Sequence, residues 1–256
     1  MRKDWIEICR KMSATPATYW SGGKKILRNQ TFSFPDPQGP MTIEELGYTR
    51  TKMSLLVKGY LHRESRDSAL SQWNNRKNYR EKGHWSVGFS CYNHILKSHS
   101  RVDSPDNTGS IMGPCLQAVT ISHTIKGIAE IDVFYRTTEI LKKFPADLVL
   151  IRDHLLEGFD FDRTPLGPIT FHIANMTVSP TYLPTVLTVS PDPIGFLQDI
   201  QRGDPLFYKG GRRWILKLLT GEESRFNQAR RTQRAIKSLM FDEDQEALIK
   251  YLEKNP

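Results

Sequence analysis

The sequence has little cysteine and no long apolar run. Its 256 residues include three cysteines, Cys9, Cys91 and Cys115, and none of them forms a CxxC pair. Single, widely spaced cysteines argue against a disulfide framework and a cysteine-rich zinc site, and they suit a reducing compartment. No apolar run approaches the roughly 18 residues that span a membrane, and residues 1–6 lack the apolar block of a secretory signal. These absences predict a soluble, cytoplasmic protein without a membrane partner.

Metal and P-loop signatures are also missing. The seven histidines include no HExxH pair or other tight metal-ligand spacing, so we expect no metal. The basic glycine pair in 210–213 lacks the GK[ST] of a P-loop and is interpreted as an exposed turn.

Positive charge is concentrated near the C-terminus. The net charge is +8, and residues 201–240 contain many more lysines and arginines than acids. Such a field attracts polyanions, including nucleic acid, although a solvated helix face explains it equally well. We therefore expect residues 1–200 to form the main domain and residues 201–256 to be a basic helical extension packed on it.

Hydrophobic periodicity predicts an α+β fold, a mixed sheet packed with helices and extended by C-terminal helices. The hairpin turn falls at Lys126-Gly127, Ser21-Gly22-Gly23 is another turn, and 35–40 is a loop. Expected strands cover 25–34, 85–92, 116–124, 128–135 and 169–178. Expected helices cover 1–12, 51–60, 68–76, 145–156 and 180–188, with two more beyond Arg213 that have boundaries near Gly221 and Asp242.

The richest chemistry surrounds the hairpin. Cys115 follows Met112-Gly113-Pro114, Arg136 heads Arg-Thr-Thr-Glu, and Asp147 closes Phe144-Pro145-Ala146-Asp147. A thiol, a guanidinium and a carboxylate can serve as nucleophile, phosphate clamp and base reader around one nucleotide. Cys115 could instead be a small buried hydrophobe, and Asp147 an acid favoured in a helix's first turn.

A cysteine hydrolase is a weaker alternative. Cys115 with His123 or His172 and Asn175 has the residue types of a Cys-His-Asn arrangement. However, Cys115 precedes a strand instead of opening a helix, so it lacks the helix-dipole activation of such thiols.

The order Pro-Cys, hairpin, Arg-Thr-x-Glu, Phe-Pro-x-Asp, helix, strand resembles the thymidylate synthase and deoxycytidylate hydroxymethylase family. Residues 112–156 match best, similarity extends from about Gly22 to Thr188, and the last 60 or so residues have no match. The resemblance implies transfer of a one-carbon unit from 5,10-methylenetetrahydrofolate to C5 of a pyrimidine nucleotide monophosphate, by a homodimer.

The resemblance also implies roles for individual residues. Cys115 would add to C6 of the base, and neighbouring Arg136 would favour its thiolate form. Asp147 stands where thymidylate synthases carry Asn and cytosine-specific hydroxymethylases carry Asp, which favours a cytosine nucleotide and hydroxymethylation. The remaining expected contacts are Arg136 and Thr137 to the phosphate, Asn175, Thr177 and Ser179 to the substrate, and Glu139 and Trp85 to the folate.

Several family features are absent. The family's catalytic Glu aligns near Ser54, Arg101 is a lone candidate for its paired cross-dimer arginines, and no folate-closing tail is visible. A second hypothesis is therefore a protein of this fold that has lost the chemistry and binds nucleotide or nucleic acid through the basic C-terminal region.

Overall fold

A computed structural model describes residues 2–35, 57, 61, 63–75, 85–91, 115–124, 126–162, 164–220 and 241–255. The expected loop at 35–40 and helix at 51–60 lie almost entirely outside these residues, as do residues 221–240 of the basic region. Within the described residues, no helix is long and apolar enough to cross a membrane.

The described residues confirm the α+β class, with one six-stranded sheet in the order β1-β2-β6-β5-β4-β3. The strands are β1 (Tyr19–Ser21), β2 (Lys24–Phe34), β3 (Trp85–Ser90), β4 (Leu116–His123), β5 (Ala129–Glu139) and β6 (Leu166–Val178). The helices are α1 (Arg2–Ala14), α2 (Arg63–Asn74), α3 (Phe144–Leu150), α4 (Leu183–Leu187), α5 (Pro193–Gly203), α6 (Pro205–Leu219) and α7 (Asp242–Lys254). A π-helical turn (Ile151–Leu155) continues α3, and a 3-10 turn (Pro180–Tyr182) precedes α4.

The sheet is mixed. Strands β3, β4 and β5 are antiparallel neighbours, and the β4–β5 hairpin turns at Gly127, whose φ of +74° is the left-handed conformation that glycine adopts without strain. Strand β6 runs parallel to β5, since the hydrogen bonds from Ala129 N to Pro165 O and from Ile140 N to Thr177 O advance along both strands in the same direction. Helix α3 lies in the crossover between them.

Most expected elements are confirmed, and the main differences concern helices, including α2, which begins at Arg63 where the expected helix begins at residue 68. The helix expected beyond Arg213 begins earlier, at Pro205, so the interpretation of 210–213 as an exposed turn is wrong: these residues lie inside α6, where Gly211 is buried. Helix α5 was not predicted. Helices α5 and α6 start in the same way: an aspartate, Asp192 or Asp204, caps the first turn by accepting a backbone N–H, and a proline follows at the first helical position. Strand β5 also extends to Glu139, so Arg136 and Thr137 lie on the strand.

The chain divides into two compact units. Unit 1 comprises Asn29–Thr138 and Ala146–Asn175, and unit 2 comprises Arg2–Arg28, Glu139–Pro145 and Met176–Pro256. In unit 1 one face of the sheet is core, where alternate residues of β5, Ile131, Val133 and Tyr135, are buried. Unit 2 packs α1 against α5 closely, because the Cα of Gly203 faces the Ala14 carbonyl with no room for a Cβ. The expected boundary at residue 200 stays a prediction.

Candidate functional site

In unit 1, Cys115 and Arg136 are direct neighbours across the β4–β5 ladder. The Arg136 N–H donates to the Cys115 carbonyl at 2.8 Å, and the next pair in register is Leu116 with Tyr135. Opposed residues of antiparallel strands project from the same face of a sheet. The thiol and the guanidinium therefore leave the sheet together, on the face opposite the buried Leu116 and Tyr135. Both residues are half-buried.

Asp147 joins this face through Thr138. The Thr138 hydroxyl donates to the Asp147 carboxylate at 3.0 Å, and both side chains are buried, with 4% and 7% exposed. Thr138 is two residues beyond Arg136 on β5, about 7 Å along the strand and on the same face. Unit 1 thus brings Cys115, Arg136 and Asp147 to one side of the sheet near the end of β5, with Thr138 as a contact that the sequence did not suggest.

Three other predicted residues of unit 1 have different surroundings. Thr137 projects from the opposite face to Arg136, because adjacent strand residues alternate. Asn175 is half-buried, and its side-chain oxygen is inaccessible with no hydrogen-bond partner among the described residues. Trp85 packs between Trp73, at 5.2 Å between ring centroids, and His123, whose ring is nearly parallel to it at 6.3 Å. Trp85 therefore belongs to an aromatic cluster.

Unit 2 holds the predicted residues Glu139, Thr177 and Ser179. Glu139 is 5% exposed, and its two carboxylate oxygens accept the backbone N–H groups of Ser179 at 3.2 Å and Lys142 at 2.6 Å. Burial raises the pKa of Glu139 to about 7, against the opposing effect of these hydrogen bonds. The Ser179 hydroxyl pairs with the Thr181 hydroxyl at 2.8 Å. The contacts described for Glu139 and Ser179 are therefore internal to the unit.

The three thiols differ in setting. Cys9 and Cys91 are fully buried, and burial raises the pKa of both, that of Cys91 to about 12. Buried neutral thiols of this kind are chemically inert. Cys115 is the half-buried one, and it is also the one with an arginine as its neighbour in the ladder. Among the described residues no group of histidine, cysteine and acidic side chains is arranged to hold a metal.

The cysteine hydrolase alternative gains no supporting contact. His172 Nε2 forms a hydrogen bond of 2.7 Å with Asp132 Oδ1. The His123 ring is stacked on Trp85. No hydrogen bond between Cys115 and a histidine is seen in the part of the chain that the structure describes.

A second group on the same face was missed by sequence reasoning. Asp132, Phe134 and Arg136 alternate along β5 and project together, and His172 of β6 contacts the first two. Alternation along β5 alone could have identified the three residues of that strand. Identifying His172 as the fourth member of the group requires knowing that β6 lies beside β5. No protein-family model matches the chain, and no curated protein matches it significantly.

Proposed function

We propose that the chain is a folate-dependent one-carbon transferase that acts on C5 of a pyrimidine nucleotide. The preferred reaction is hydroxymethylation of a cytosine nucleotide, dCMP or a close analogue, through a covalent bond between Cys115 Sγ and C6. The observation that carries the proposal is the Cys115–Arg136 backbone pairing, because opposed residues of an antiparallel ladder direct a thiol and a guanidinium to one face of the sheet.

The pairing suits activation of a pyrimidine ring. The Cys115 thiolate would donate an electron pair to C6, forming the Sγ–C6 bond while the C5=C6 π electrons move toward C5. C5 would then become nucleophilic and take the methylene carbon, the folate would leave as that carbon's bond to nitrogen breaks, and water would supply the oxygen of the hydroxymethyl product. Loss of the C5 proton afterwards restores C5=C6 and expels the thiolate. Arg136 would hold the 5′-phosphate with its planar fork.

Asp147 would select the base. Cytosine presents an amine at C4 and a lone pair at N3, so a carboxyl that accepts from the amine and donates a proton to N3 complements it. The hydrogen bond from Thr138 limits rotation of the Asp147 carboxyl and presents it in one orientation.

The residues expected to hold the folate do not fit that role. Glu139 has little exposed surface and two backbone donors on its carboxylate, and Trp85 lies within an aromatic cluster. The described residues thus support activation of the pyrimidine, while the requirement for 5,10-methylenetetrahydrofolate and the homodimer rest on the resemblance.

Covalent trapping tests the proposal. The protein is mixed with 5-fluoro-dCMP and 5,10-methylenetetrahydrofolate, and the intact mass is measured. Fluorine at C5 cannot leave as the proton does, so the Cys115 adduct should accumulate. Cys115→Ser should abolish the adduct, whereas Cys91→Ser, which removes a buried thiol, should not. If no adduct forms with cytosine or uracil analogues, the proposed chemistry is refuted.

The second candidate is a protein of this fold that binds nucleotide or nucleic acid without catalysis. The internal contacts of Glu139 favour it, as does the basic α6, where Lys209 and Arg213 are exposed. It predicts DNA or RNA binding with a steep salt dependence, weakened when Arg230, Arg231 and Arg234 are neutralised together. Those three arginines lie outside the described residues.

A further inference from the structure

A cleft of about 430 Å³ opens on the unit 1 face of the sheet that carries Arg136. It crosses β2, β6 and β5, and its size is within the range of small-molecule sites. Residues that line it include Asn29, Thr31, Gln117, Phe134, Arg136 and His172.

Two of the residues that line the cleft, Phe134 and His172, form an aromatic pair. The rings of Phe134 and His172 are stacked, with centroids 4.9 Å apart and planes 15° apart. Phe134 is 40% exposed, although it lies on an interior strand of the sheet, whereas the exposed Tyr19 and Trp20 lie on the edge strand β1. A large apolar ring left open on a central strand is available for stacking by a ligand ring.

The histidine ring is fixed in place. Its Nε2 pairs with Asp132 Oδ1 at 2.7 Å, and its Nδ1 lies 3.5 Å from the Thr31 hydroxyl. Contacts at both ring nitrogens therefore hold the His172 ring nearly parallel to the Phe134 ring. An aromatic pair that is already fixed loses little conformational entropy when a third ring stacks on it.

Two backbone irregularities bring amide side chains to the same cleft. Gln117 lies at the β-bulge between Leu116 and Ala118, and bulges redirect side chains next to functional sites. Asn29 has a φ of +53°, a left-handed conformation that residues other than glycine rarely adopt. Asn and Gln amides both donate and accept hydrogen bonds, which suits the polar edge of a nucleobase.

Arg136 belongs both to this cleft and to the pair that it forms with Cys115. We infer that the pyrimidine nucleotide bound at Arg136 continues on its 5′ side, with the preceding base stacked on Phe134 and His172. The preferred substrate is then a cytosine within a single-stranded nucleic acid, and dCMP is the smallest unit that the site accepts. This inference rests on the proposed function. Arg136 and Phe134 are two residues apart on β5, about 7 Å, which is close to the reach of one nucleotide.

Charge supports a polymeric substrate. The chain carries a net charge of +8, which attracts polyanions more strongly than it attracts a single phosphate. The Asp132 carboxylate on this face is paired with His172. Arg136 is the residue in the cleft that would meet the phosphodiester.

Binding of matched dinucleotides tests the inference. Titration calorimetry compares d(TpC), in which the cytosine has a 5′ neighbour, with 5′-phosphorylated d(CpT), in which the neighbour is 3′, and with dCMP. Stacking on one aromatic platform predicts that d(TpC) binds about 5- to 150-fold more tightly than dCMP, while 5′-phosphorylated d(CpT) resembles dCMP. Phe134→Ala should remove this gain and Phe134→Tyr should retain it. Phe241→Ala, which removes another exposed phenylalanine, should leave it unchanged.

The same ligands made with 5-fluorocytosine separate the two ideas. A Cys115 adduct with 5-fluoro-dCMP, combined with equal affinity for all three ligands, would overturn the inference and leave the proposed function standing. A d(TpC) preference that survives Phe134→Ala would also overturn it. Absence of an adduct with every fluorinated ligand would refute the proposed function, whatever the affinities are.

Discussion

The backbone N–H of Arg136 donates to the carbonyl of Cys115, so the two residues are opposed in an antiparallel ladder. Their side chains are set on the same face by the backbone hydrogen bonding of the ladder. Sites built on paired strands hold their geometry better than sites on loops. The consequence is that substitutions of either side chain should leave this spacing intact, which makes them clean probes of chemistry.

Arg136→Lys separates charge from geometry. The lysine keeps a positive charge but cannot form the two parallel hydrogen bonds of a guanidinium to phosphate. We expect the Kd for dCMP to rise about 10-fold or more, given ~1.5–3 kcal/mol for a hydrogen bond to a charged group. The Kd for deoxycytidine, which has no phosphate, should not change. Arg213→Lys, at an exposed position on α6, is the control. An equal loss for nucleotide and nucleoside would show that Arg136 does not bind the phosphate.

Asp147→Asn should change base preference. An amide complements uracil where a protonated carboxyl complements cytosine, and discrimination of this type is worth ~1–3 kcal/mol per base contact. The ratio of kcat/KM for dCMP to that for dUMP should therefore fall about 5- to 150-fold. An unchanged ratio in Asp147→Asn would exclude the base-reading role.

Thr138→Val tests the orientation of the same carboxyl. The valine keeps the shape of the side chain and removes the hydroxyl that donates to Asp147. We expect Thr138→Val to lower the ratio of kcat/KM for dCMP to that for dUMP, but by less than Asp147→Asn does. Adding Thr138→Val to Asp147→Asn should lower this ratio little further. Thr137→Val, on the opposite face of β5, is the matched control. Fully additive effects in the double variant would mean that Thr138 acts independently of Asp147.

Much of the fold follows from local sequence patterns, whereas two contacts of the site, Thr138–Asp147 and Asp132–His172, depend on how distant segments pack together. Alternation along the two hairpin strands predicts β4 and β5, and hence that Cys115 and Arg136 lie at corresponding ends. The Thr138–Asp147 hydrogen bond depends on the path of residues 140–143, which carry no periodic signal. The contact between Asp132 and His172 depends on β6 lying next to β5, and strand order is set by packing and not by the sequence of either strand.

Glu139 should make stability fall as pH rises toward neutrality. Burial raises its pKa from 4.5 to about 7. Between pH 4.5 and pH 7 the carboxyl is therefore protonated in the folded state and ionised in the unfolded state. The free energy of unfolding should therefore decrease, by on the order of 3 kcal/mol, from pH 4.5 to 7. Urea unfolding across this range measures it. Glu139→Gln, which cannot ionise, should flatten the dependence, and an equally steep decrease in that variant would assign the effect to other groups.

Lys25 is a buried charge whose partners should be interdependent. Its ammonium donates to the carbonyls of Ser13 at 2.6 Å and Thr15 at 2.7 Å and pairs with Asp204 at 3.1 Å. Burial lowers the pKa of Lys25 to about 8, with Asp204 opposing the shift. Lys25→Met would leave the buried Asp204 carboxylate without its cation, so it should lower the free energy of unfolding by ~3–5 kcal/mol.

The double variant Lys25→Met/Asp204→Asn provides the control. Asparagine removes the negative charge but can still accept the Phe207 N–H at the start of α6, as Asp204 does. We therefore expect the double variant to be more stable than Lys25→Met alone in urea unfolding. If Asp204→Asn destabilises the Lys25→Met protein as much as it destabilises the parent chain, the two charges are not coupled. The cost of Lys25→Met would then come from the lost hydrogen bonds to Ser13 and Thr15.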